Sequence, residues 1–206
     1  MVPDINISLM ALGDSYTVGQ SVAVADRWTD QLTDSLLSHG PNLETRILAR
    51  SGWTSAELLI AMDSYIFDSE YDFVSLLIGV NNQFRGNQIS EFEMDLNELL
   101  DRAIVLASHD PERVLVLSIP DWGQTPFGAA YNDSEIAQEI DQYNEVIEQL
   151  SAAKGATFID ITGISRLAAT QTNLIAADGL HPSADMYALW VSEIEAHIIQ
   201  LISPNP

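Results

Sequence analysis

Short, nearly continuous apolar segments alternate along the chain with longer segments in which apolar residues recur at helical spacing. A short apolar run is typical of a strand buried on both faces, because a strand with one solvent face alternates polar and apolar residues. Five strands are predicted on this ground, over residues 5–12, 45–49, 73–78, 113–119 and 157–160. Doubly buried strands that are separated by helices indicate an α/β fold with a parallel sheet.

The predicted helices are marked by capping signals as well as by apolar stripes. A helix over residues 27–38 has His39 in its last turn and Gly40 as its C-terminal cap, and Pro41 follows. Two capping boxes predict that helices begin directly after Thr54 and Ser90. Three apolar stripes predict the longer helices: Phe92, Leu96, Leu99, Ala103 and Ala107; Ile136, Ile140, Tyr143, Ile147 and Leu150; and Met186, Trp190, Ile194 and Ile198.

The composition indicates a single domain. The chain has 206 residues, 47% of them hydrophobic, and no repeat or linker-like segment interrupts it, so one domain over residues 1–206 is expected. The absence of cysteine excludes disulfides, thiolate metal sites and a cysteine nucleophile. None of His39, His109 and His197 has a metal-ligand partner at useful spacing, so no metal and no other cofactor is predicted.

The charge of the chain limits the classes of molecule that it is expected to bind. It carries 30 acidic and 8 basic residues, a formal net charge of -22, and such a surface repels nucleic acid and anionic membranes. Neither is therefore an expected partner, and the candidate chemistry described below predicts a small-molecule substrate instead. No apolar stretch reaches the ~18 residues of a membrane-spanning helix, and the start Met1-Val2-Pro3-Asp4-Ile5 lacks the features of a signal peptide. A cytoplasmic location is expected, although a secreted protein whose signal had been removed would have the same sequence.

One combination of residues offers a complete chemical mechanism. Ser15 lies in Gly13-Asp14-Ser15-Tyr16-Thr17-Val18-Gly19, directly after the first predicted strand, and a second block reads Asp178-Gly179-Leu180-His181-Pro182-Ser183. A serine hydroxyl is a poor nucleophile unless a base takes its proton, and His181 is the natural base. Asp178 can accept the other ring N–H and thereby orient the imidazole.

Donors for an oxyanion are present as well. Acyl transfer places negative charge on the carbonyl oxygen, and the candidates to stabilise it are the N–H groups of Ser15 and Gly52 and the side-chain amide of Asn81. These three residues and Asp121 each follow a predicted strand. Because ligands bind outside the carboxyl ends of parallel strands, we expect them to converge at one edge of the sheet, where His181 can join them.

The blocks Gly13-Asp14-Ser15, Gly52, Gly79-Val80-Asn81 and Asp178-x-x-His181 together resemble the SGNH (GDSL-type) hydrolase superfamily, in the order of that family and over nearly the whole chain. The resemblance implies a flavodoxin-like, three-layer α/β/α sandwich with about five parallel strands. It also implies a cofactor-free serine esterase with Ser15 as nucleophile and first oxyanion donor. Gly52 and Asn81 would complete the oxyanion hole, and Asp178 would support His181.

Two positions depart from the family pattern. Tyr16 stands where leucine usually follows the serine, and Asn82 stands where aspartate usually follows the asparagine. Neither carries a catalytic role, but both can reshape the substrate pocket. The candidate pocket residues are therefore Tyr16, Trp53, Asn82, Asp121 and Trp122, with Phe127 as a further aromatic near them. Arg85 is one of the few cations near the site, and we expect it to pair with a neighbouring acid rather than with a substrate anion.

Three functions remain open from the sequence. The leading one is a serine esterase that removes small acyl groups, acetyl or short-chain, with acetylated carbohydrates among the candidate substrates. The second is a lysophospholipase or acyl-thioesterase that uses the same triad with a longer acyl groove. The third is a flavodoxin-like binding protein in which Ser15, Thr17, Gly19 and Ser21 hold a flavin phosphate. A glycosidase would need a specific pair of carboxylic acids, and the sequence offers none.

Overall fold

The computed structural model describes residues 6–202, so the predicted strand start at Ile5 and the rest of the N-terminal segment lie outside the described residues. The described part contains one five-stranded parallel sheet with the strand order β2-β1-β3-β4-β5. The strands are β1 (Asn6–Gly13), β2 (Asn42–Ala49), β3 (Phe73–Leu77), β4 (Val114–Leu117) and β5 (Thr157–Ile159). All five predicted strands are present, and β3 and β4 are buried at every position.

Helices cover both faces of the sheet. They are α1 (Ser15–Val18), α2 (Trp28–His39), α3 (Ser55–Ser64), α4 (Val80–Phe84), α5 (Ile89–Leu106), α6 (Asp133–Lys154), α7 (Thr162–Arg166) and α8 (Ala184–Ile202). The chain moves from β1 to β2 in one direction and from β3 to β5 in the other, so right-handed crossovers place the connecting helices on opposite faces. Accordingly α2 packs against α8, whereas α5 packs against α3 and α6. The predicted three-layer α/β/α sandwich is confirmed.

Two of the three predicted capping residues, Gly40 and Thr54, mark helix ends correctly. Gly40 caps α2 with a φ of 114°, a conformation that favours glycine, and Thr54 forms both hydrogen bonds of its capping box with Glu57. The predicted cap at Ser90 is wrong, since α5 already begins at Ile89. The carbonyl of Gln88 accepts hydrogen bonds from the two backbone N–H groups at residues 91 and 92, which places Ser90 inside the first turn.

The predicted start of the second strand is also too late. Strand β2 begins at Asn42 rather than at residue 45, because residues 42–44 pair with residues 6–8 of β1. These first residues are polar or alternate in burial, since β2 is an edge strand and one of its sides faces solvent. Within residues 6–202, none of the helices is both long enough and apolar enough to cross a lipid bilayer.

The topology determines where the functional residues lie. Strands β2 and β3 pair with β1 on either side, and the register places Gly13 of β1 level with Ala49 and Leu77. The chain therefore reverses its winding direction between β1 and β3, which is the point where open α/β sheets bind ligands beyond the strand ends. Ser15, Gly52 and Asn81 all follow these three strands within a few residues.

Candidate active site

Ser15 is the first residue of the short helix α1, directly after β1. The end of β1 is tightly packed, since a Cβ at Gly13 would lie 2.3 Å from Thr17 Oγ1 and 2.6 Å from the Leu77 carbonyl oxygen. Only glycine fits there. The Asp14 side chain caps α1 by accepting a hydrogen bond from the Tyr16 N–H at 3.0 Å. The N–H of Ser15 itself has no hydrogen-bond partner among the described residues, so it is available to a ligand.

His181 and Asp178 form a hydrogen-bonded pair in the loop before α8. The Nδ1 of His181 and the Oδ2 of Asp178 are 2.6 Å apart. The other carboxylate oxygen accepts hydrogen bonds from the backbone N–H groups of Leu180, at 2.9 Å, and His181, at 3.0 Å. Burial opposes ionisation of Asp178, but the hydrogen bonds from Ser21, His181 and Leu180 outweigh it and hold the pKa of this carboxyl below its usual range.

This pairing determines which ring nitrogen can act as a base. An ionised carboxylate only accepts hydrogen bonds, so Nδ1 carries the proton and Nε2 is left with a lone pair. His181 and Ser15 line the same cavity. In the described residues the two side chains make no direct hydrogen bond, as is common before a substrate tightens such a site. The Tyr16 ring packs against the imidazole with 5.3 Å between ring centroids and limits its movement.

Gly52 lies in the loop after β2 with a φ of +86°, in the left-handed region that favours glycine. Its N–H has no partner among the described residues, and Gly52 lines the cavity. The guanidinium of Arg85 donates one hydrogen bond to the Gly52 carbonyl and another, of 3.1 Å, to Glu57. Arg85 therefore pairs with an acid, as expected from the sequence, and it also holds the Gly52 peptide group.

Asn81 lines the cavity, but both hydrogens of its amide have partners in this structure. The nitrogen donates to Asp14 Oδ2 at 3.1 Å and to the Trp53 carbonyl at 3.0 Å. Burial raises the pKa of Asp14 from 3.8 to about 7, although hydrogen bonds from the Tyr16 N–H and from Asn81 act in the opposite direction. An oxyanion would share the Asn81 amide with these two acceptors.

The cavity has a volume of about 210 Å³. It is lined by residues of all the predicted blocks together with several apolar side chains: Ser15, Tyr16, Gln20, Gly52, Val80, Asn81, Phe84, Trp122, Phe127, Leu180 and His181. The structure thus brings together the candidate nucleophile, the candidate base, the three oxyanion candidates and two of the candidate pocket residues, Tyr16 and Trp122.

Three other candidate pocket residues do not line the cavity. Trp53 packs against the hydrophobic core and contributes only its carbonyl, as the acceptor for Asn81. Asn82 is buried and its amide bonds with Ser55. Asp121 is buried and pairs with Arg166 at 2.9 Å. These polar groups already have protein partners, so substrate contact through them is a prediction that the geometry does not favour.

Four lining residues were missed by sequence analysis: Gln20, Val80, Phe84 and Leu180. Phe84 carried a usable signal. It follows Asn81 by three residues in α4, and residues three apart lie on the same side of a helix. An aromatic residue at that spacing is therefore placed beside the oxyanion candidate. Val80 and Leu180 lie next to predicted site residues in the sequence, Gln20 lies four residues after Tyr16, and none of the three has a signal of its own.

Phe84, Trp122, Phe127 and Tyr131 form a cluster that we call the aromatic wall. Every pair of these rings is in contact, with centroid distances between 5.1 and 6.4 Å. The Trp122 Nε1–H donates to Gln83 Oε1 at 2.7 Å, which anchors the wall to α4. Phe84 and Trp122 line both the 210 Å³ cavity and a second cavity of about 300 Å³, so the wall separates the two.

The flavin-binding alternative does not agree with this geometry. Thr17 is completely buried and cannot reach a phosphate, and the Ser21 hydroxyl donates to Asp178. The backbone N–H groups of Thr17 and Val18 are engaged by the Asp14 carbonyl. In the part of the chain that the structure describes, no group of three or more histidine and acidic side chains is arranged to hold a metal ion.

A parallel α/β/α sandwich that places a serine, a histidine and an aspartate beyond the ends of its strands is the arrangement expected of a serine hydrolase. Residues 11–189 match the model of the GDSL-like lipase/acylhydrolase family. The chain belongs to this family and is a carboxylic ester hydrolase, for which a catalytic triad and an oxyanion hole are typical.

Individual relatives are distant but align over almost the full chain. An arylesterase of Vibrio mimicus is 23% identical over 190 residues, which cover 91% of this chain and 86% of the relative. The fold is similar to that of the psychrotrophic esterase EstA from Pseudoalteromonas sp., with a TM-score of 0.73, 18% identity and coverage of 95% of this chain and 98% of that chain. An acetylxylan esterase from Geobacillus stearothermophilus has the same TM-score and identity, with 96% of each chain covered.

Proposed function

We propose that this esterase hydrolyses small acyl esters, acetyl or short-chain, through a Ser15-His181-Asp178 triad and an acyl-enzyme intermediate. One observation carries the proposal. Ser15 and the Asp178-oriented imidazole of His181 face one cavity, and the free N–H groups of Ser15 and Gly52 belong to the same cavity. Nucleophile, base and oxyanion donors are thus available to a single ester group.

The reaction follows from the tautomer of His181. Its Nε2 takes the proton from Ser15 Oγ as this oxygen attacks the ester carbonyl and forms a new C–O bond. The oxyanion accepts hydrogen bonds from the N–H groups of Ser15 and Gly52 and shares the Asn81 amide. Collapse breaks the bond to the alcohol, which leaves with the proton held by Nε2. A water molecule then repeats the same steps on the acyl-enzyme and releases the acid.

The size of the cavity favours a short acyl group over the longer chains of a lysophospholipase or acyl-thioesterase. Its volume of about 210 Å³ is below the roughly 300–1,000 Å³ of pockets that enclose drug-sized ligands. The aromatic wall limits the cavity on the side of α4. A chain of eight or more carbons would have to leave the cavity or displace these rings.

The alcohol part of the ester has room along the aromatic wall. Phe84, Phe127 and Tyr131 are 47%, 38% and 50% exposed, and a contiguous exposed apolar patch beside a catalytic pocket is a typical binding surface. Aromatic faces suit flat aryl groups and the apolar faces of sugar rings. The arylesterase and acetylxylan esterase among the relatives agree with such alcohols. Acetylated carbohydrates therefore belong among the first substrates to test.

The test is hydrolysis of p-nitrophenyl esters from acetate to decanoate by the wild type and by Ser15→Ala, with Ser64→Ala, an exposed serine at the end of α3, as matched control. We expect the wild type to have its highest kcat/KM on the acetate or the butyrate ester. Ser15→Ala should lose all hydrolytic activity, and Ser64→Ala should keep the activity of the wild type. A fluorophosphonate should add its phosphonyl group to Ser15 only, because Ser15 Oγ forms a bond to phosphorus while fluoride leaves and the hydroxyl proton is released. An optimum at octanoate or beyond would favour the long-chain alternative, and activity in Ser15→Ala would disprove the triad.

A further inference from the structure

Ser21 connects the loop of the nucleophile with the loop of the acid. Its hydroxyl donates to Asp178 Oδ2 over 2.6 Å, although the two residues are 157 positions apart in the sequence. The same oxygen is paired with His181 Nδ1, also at 2.6 Å. Ser21 therefore supplies the only donor to this carboxylate, among the described residues, that does not come from the loop of His181 itself.

The segment that carries Ser21 is tied to the nucleophile. The carbonyl of Ser15 accepts hydrogen bonds from the N–H groups of Gly19 and Gln20, both at 3.0 Å. Ser21 follows directly, so a short hydrogen-bonded turn joins it to Ser15. The bond to Asp178 then closes a connection that runs from Ser15 through Ser21 and Asp178 to His181.

The backbone of Ser21 adopts a conformation that is unfavourable for serine. Its φ is +70°, in the left-handed region where a Cβ is disfavoured and glycine is the usual residue. Within the described part of the chain, the other non-glycine residues with positive φ are Ser108 and His109. Glycine at position 21 would remove the strain but also the hydroxyl. Unfavourable conformations of this kind cluster at functional sites.

We propose that Ser21 is a positioning residue, which holds Asp178 against His181 and couples this pair to the turn of Ser15. The inference rests on the proposed function of the triad. A hydroxyl that shares Oδ2 with the imidazole N–H restricts rotation of the carboxylate and so keeps the imidazole aimed at Ser15. Its loss leaves the three donors of residues 180–181 but removes the connection to the nucleophile.

The chain contains a matched control. Ser108 has a φ of +55°, and its hydroxyl also donates to a carboxylate, Glu70 Oε2, at 2.9 Å. It follows α5, and neither it nor Glu70 lines the catalytic cavity. Ser108→Gly therefore makes the same chemical and conformational change as Ser21→Gly, but without contact with the triad.

The experiment compares Ser21→Gly, Ser21→Ala and Ser108→Gly with the wild type. We expect both Ser21 variants to lose about two- to tenfold in kcat on p-nitrophenyl acetate, the worth of one hydrogen bond, with KM changed less than twofold. Ser21→Gly should unfold at a higher temperature than Ser21→Ala because glycine relieves the strain. Ser108→Gly should keep the kcat of the wild type. Unchanged kcat in both Ser21 variants, or an equal loss in Ser108→Gly, would overturn the proposal.

A second readout does not depend on esterase activity. The His181 Nδ1 proton in a 2.6 Å bond to a carboxylate should give a downfield proton resonance, assigned through its loss in His181→Gln. In Ser21→Ala this resonance should shift upfield and broaden as the carboxylate gains freedom. A resonance that does not change would refute the positioning role even if the wild type proved inactive on every ester, so the two proposals can fail separately.

Discussion

Asn81→Ala separates two roles that the structure combines in one amide. The first is catalytic. If Asn81 donates to the oxyanion, its removal should lower kcat by about ten- to a thousandfold, or about 1.4–4 kcal/mol of transition-state stabilisation. The second is structural, because the same nitrogen donates to Asp14 Oδ2 and to the Trp53 carbonyl. A buried acceptor that loses its donor costs about 1–3 kcal/mol of folding free energy.

The structural cost should depend on pH through Asp14. Raising the pKa of this carboxyl from 3.8 to about 7 corresponds to about 4 kcal/mol, and it means that the folded protein keeps a proton that the unfolded chain has released. Stability contributed by that proton is therefore lost as the pH rises from about 4 to about 7. In Asn81→Ala the pKa of Asp14 rises further, because a hydrogen bond that lowers it is gone. The loss of the Asn81 donor should therefore destabilise the variant at pH 5, and a further loss of stability relative to the wild type should appear above about pH 7.

The assay pairs kcat on p-nitrophenyl acetate at pH 8 with urea unfolding at pH 5 and pH 8.5. Asn144→Ala is the control, since that amide bonds with both backbone groups of Ile119 and with Thr162 and does not line the cavity. It should lower stability equally at both pH values and leave kcat unchanged. Unchanged kcat in Asn81→Ala would remove Asn81 from the oxyanion hole. An equal loss of stability at both pH values would refute the coupling to Asp14.

Two further predictions concern the acid and the Gly52 loop. Asp178→Asn should lower kcat by about 10³- to 10⁴-fold by favouring the wrong imidazole tautomer; a nearly wild-type rate would mean that another group orients His181. Because the pKa of Asp178 is held below its usual range, its ionised form stabilises the fold above about pH 4, and the stability difference between Asp178→Asn and the wild type should shrink as the pH falls below that value. Gly52→Ala has space for its Cβ, 3.8 Å from the Arg85 guanidinium, but its φ of +86° costs about 1–2 kcal/mol. It should unfold ~2–8 °C lower and lose kcat as the loop relaxes; a thermal unfolding curve and a rate that both match the wild type would contradict this account.

Much of the fold was predictable because its signals are local. Apolar runs marked all five strands, and the capping residues Gly40 and Thr54 located helix ends correctly. The prediction that Ser90 caps a helix was wrong, because a capping-box sequence shows only which residues could cap a helix. The backbone had already entered the helix at Ile89, so the box was not used. Strand β2 likewise begins at Asn42 because its first residues pair with β1. That pairing depends on the sequence of β1 and cannot be read from the residues of β2 alone.

The candidate site was also predictable only in part. The order of the blocks in the sequence was enough to propose Ser15, His181 and Asp178, since parallel strands bring their carboxyl ends together whatever the loops contain. Which polar groups remain free for substrate was not predictable. Asp121 and Asn82 looked available in the sequence, yet each is already paired in the interior, with Arg166 and Ser55 respectively.

The sequence by itself therefore determined the strands, the main helices, the parallel sheet and the choice of the proposed nucleophile and base, because these follow from local periodicity and from residue chemistry. Only the tertiary structure decided that Asn81 shares its amide with Asp14, that Arg85 holds the Gly52 carbonyl, and that Ser21 reaches Asp178. Hydrogen bonds of this kind join segments 33 to 157 residues apart. They form when separate loops dock at the edge of one sheet, and no local pattern in the chain records that docking.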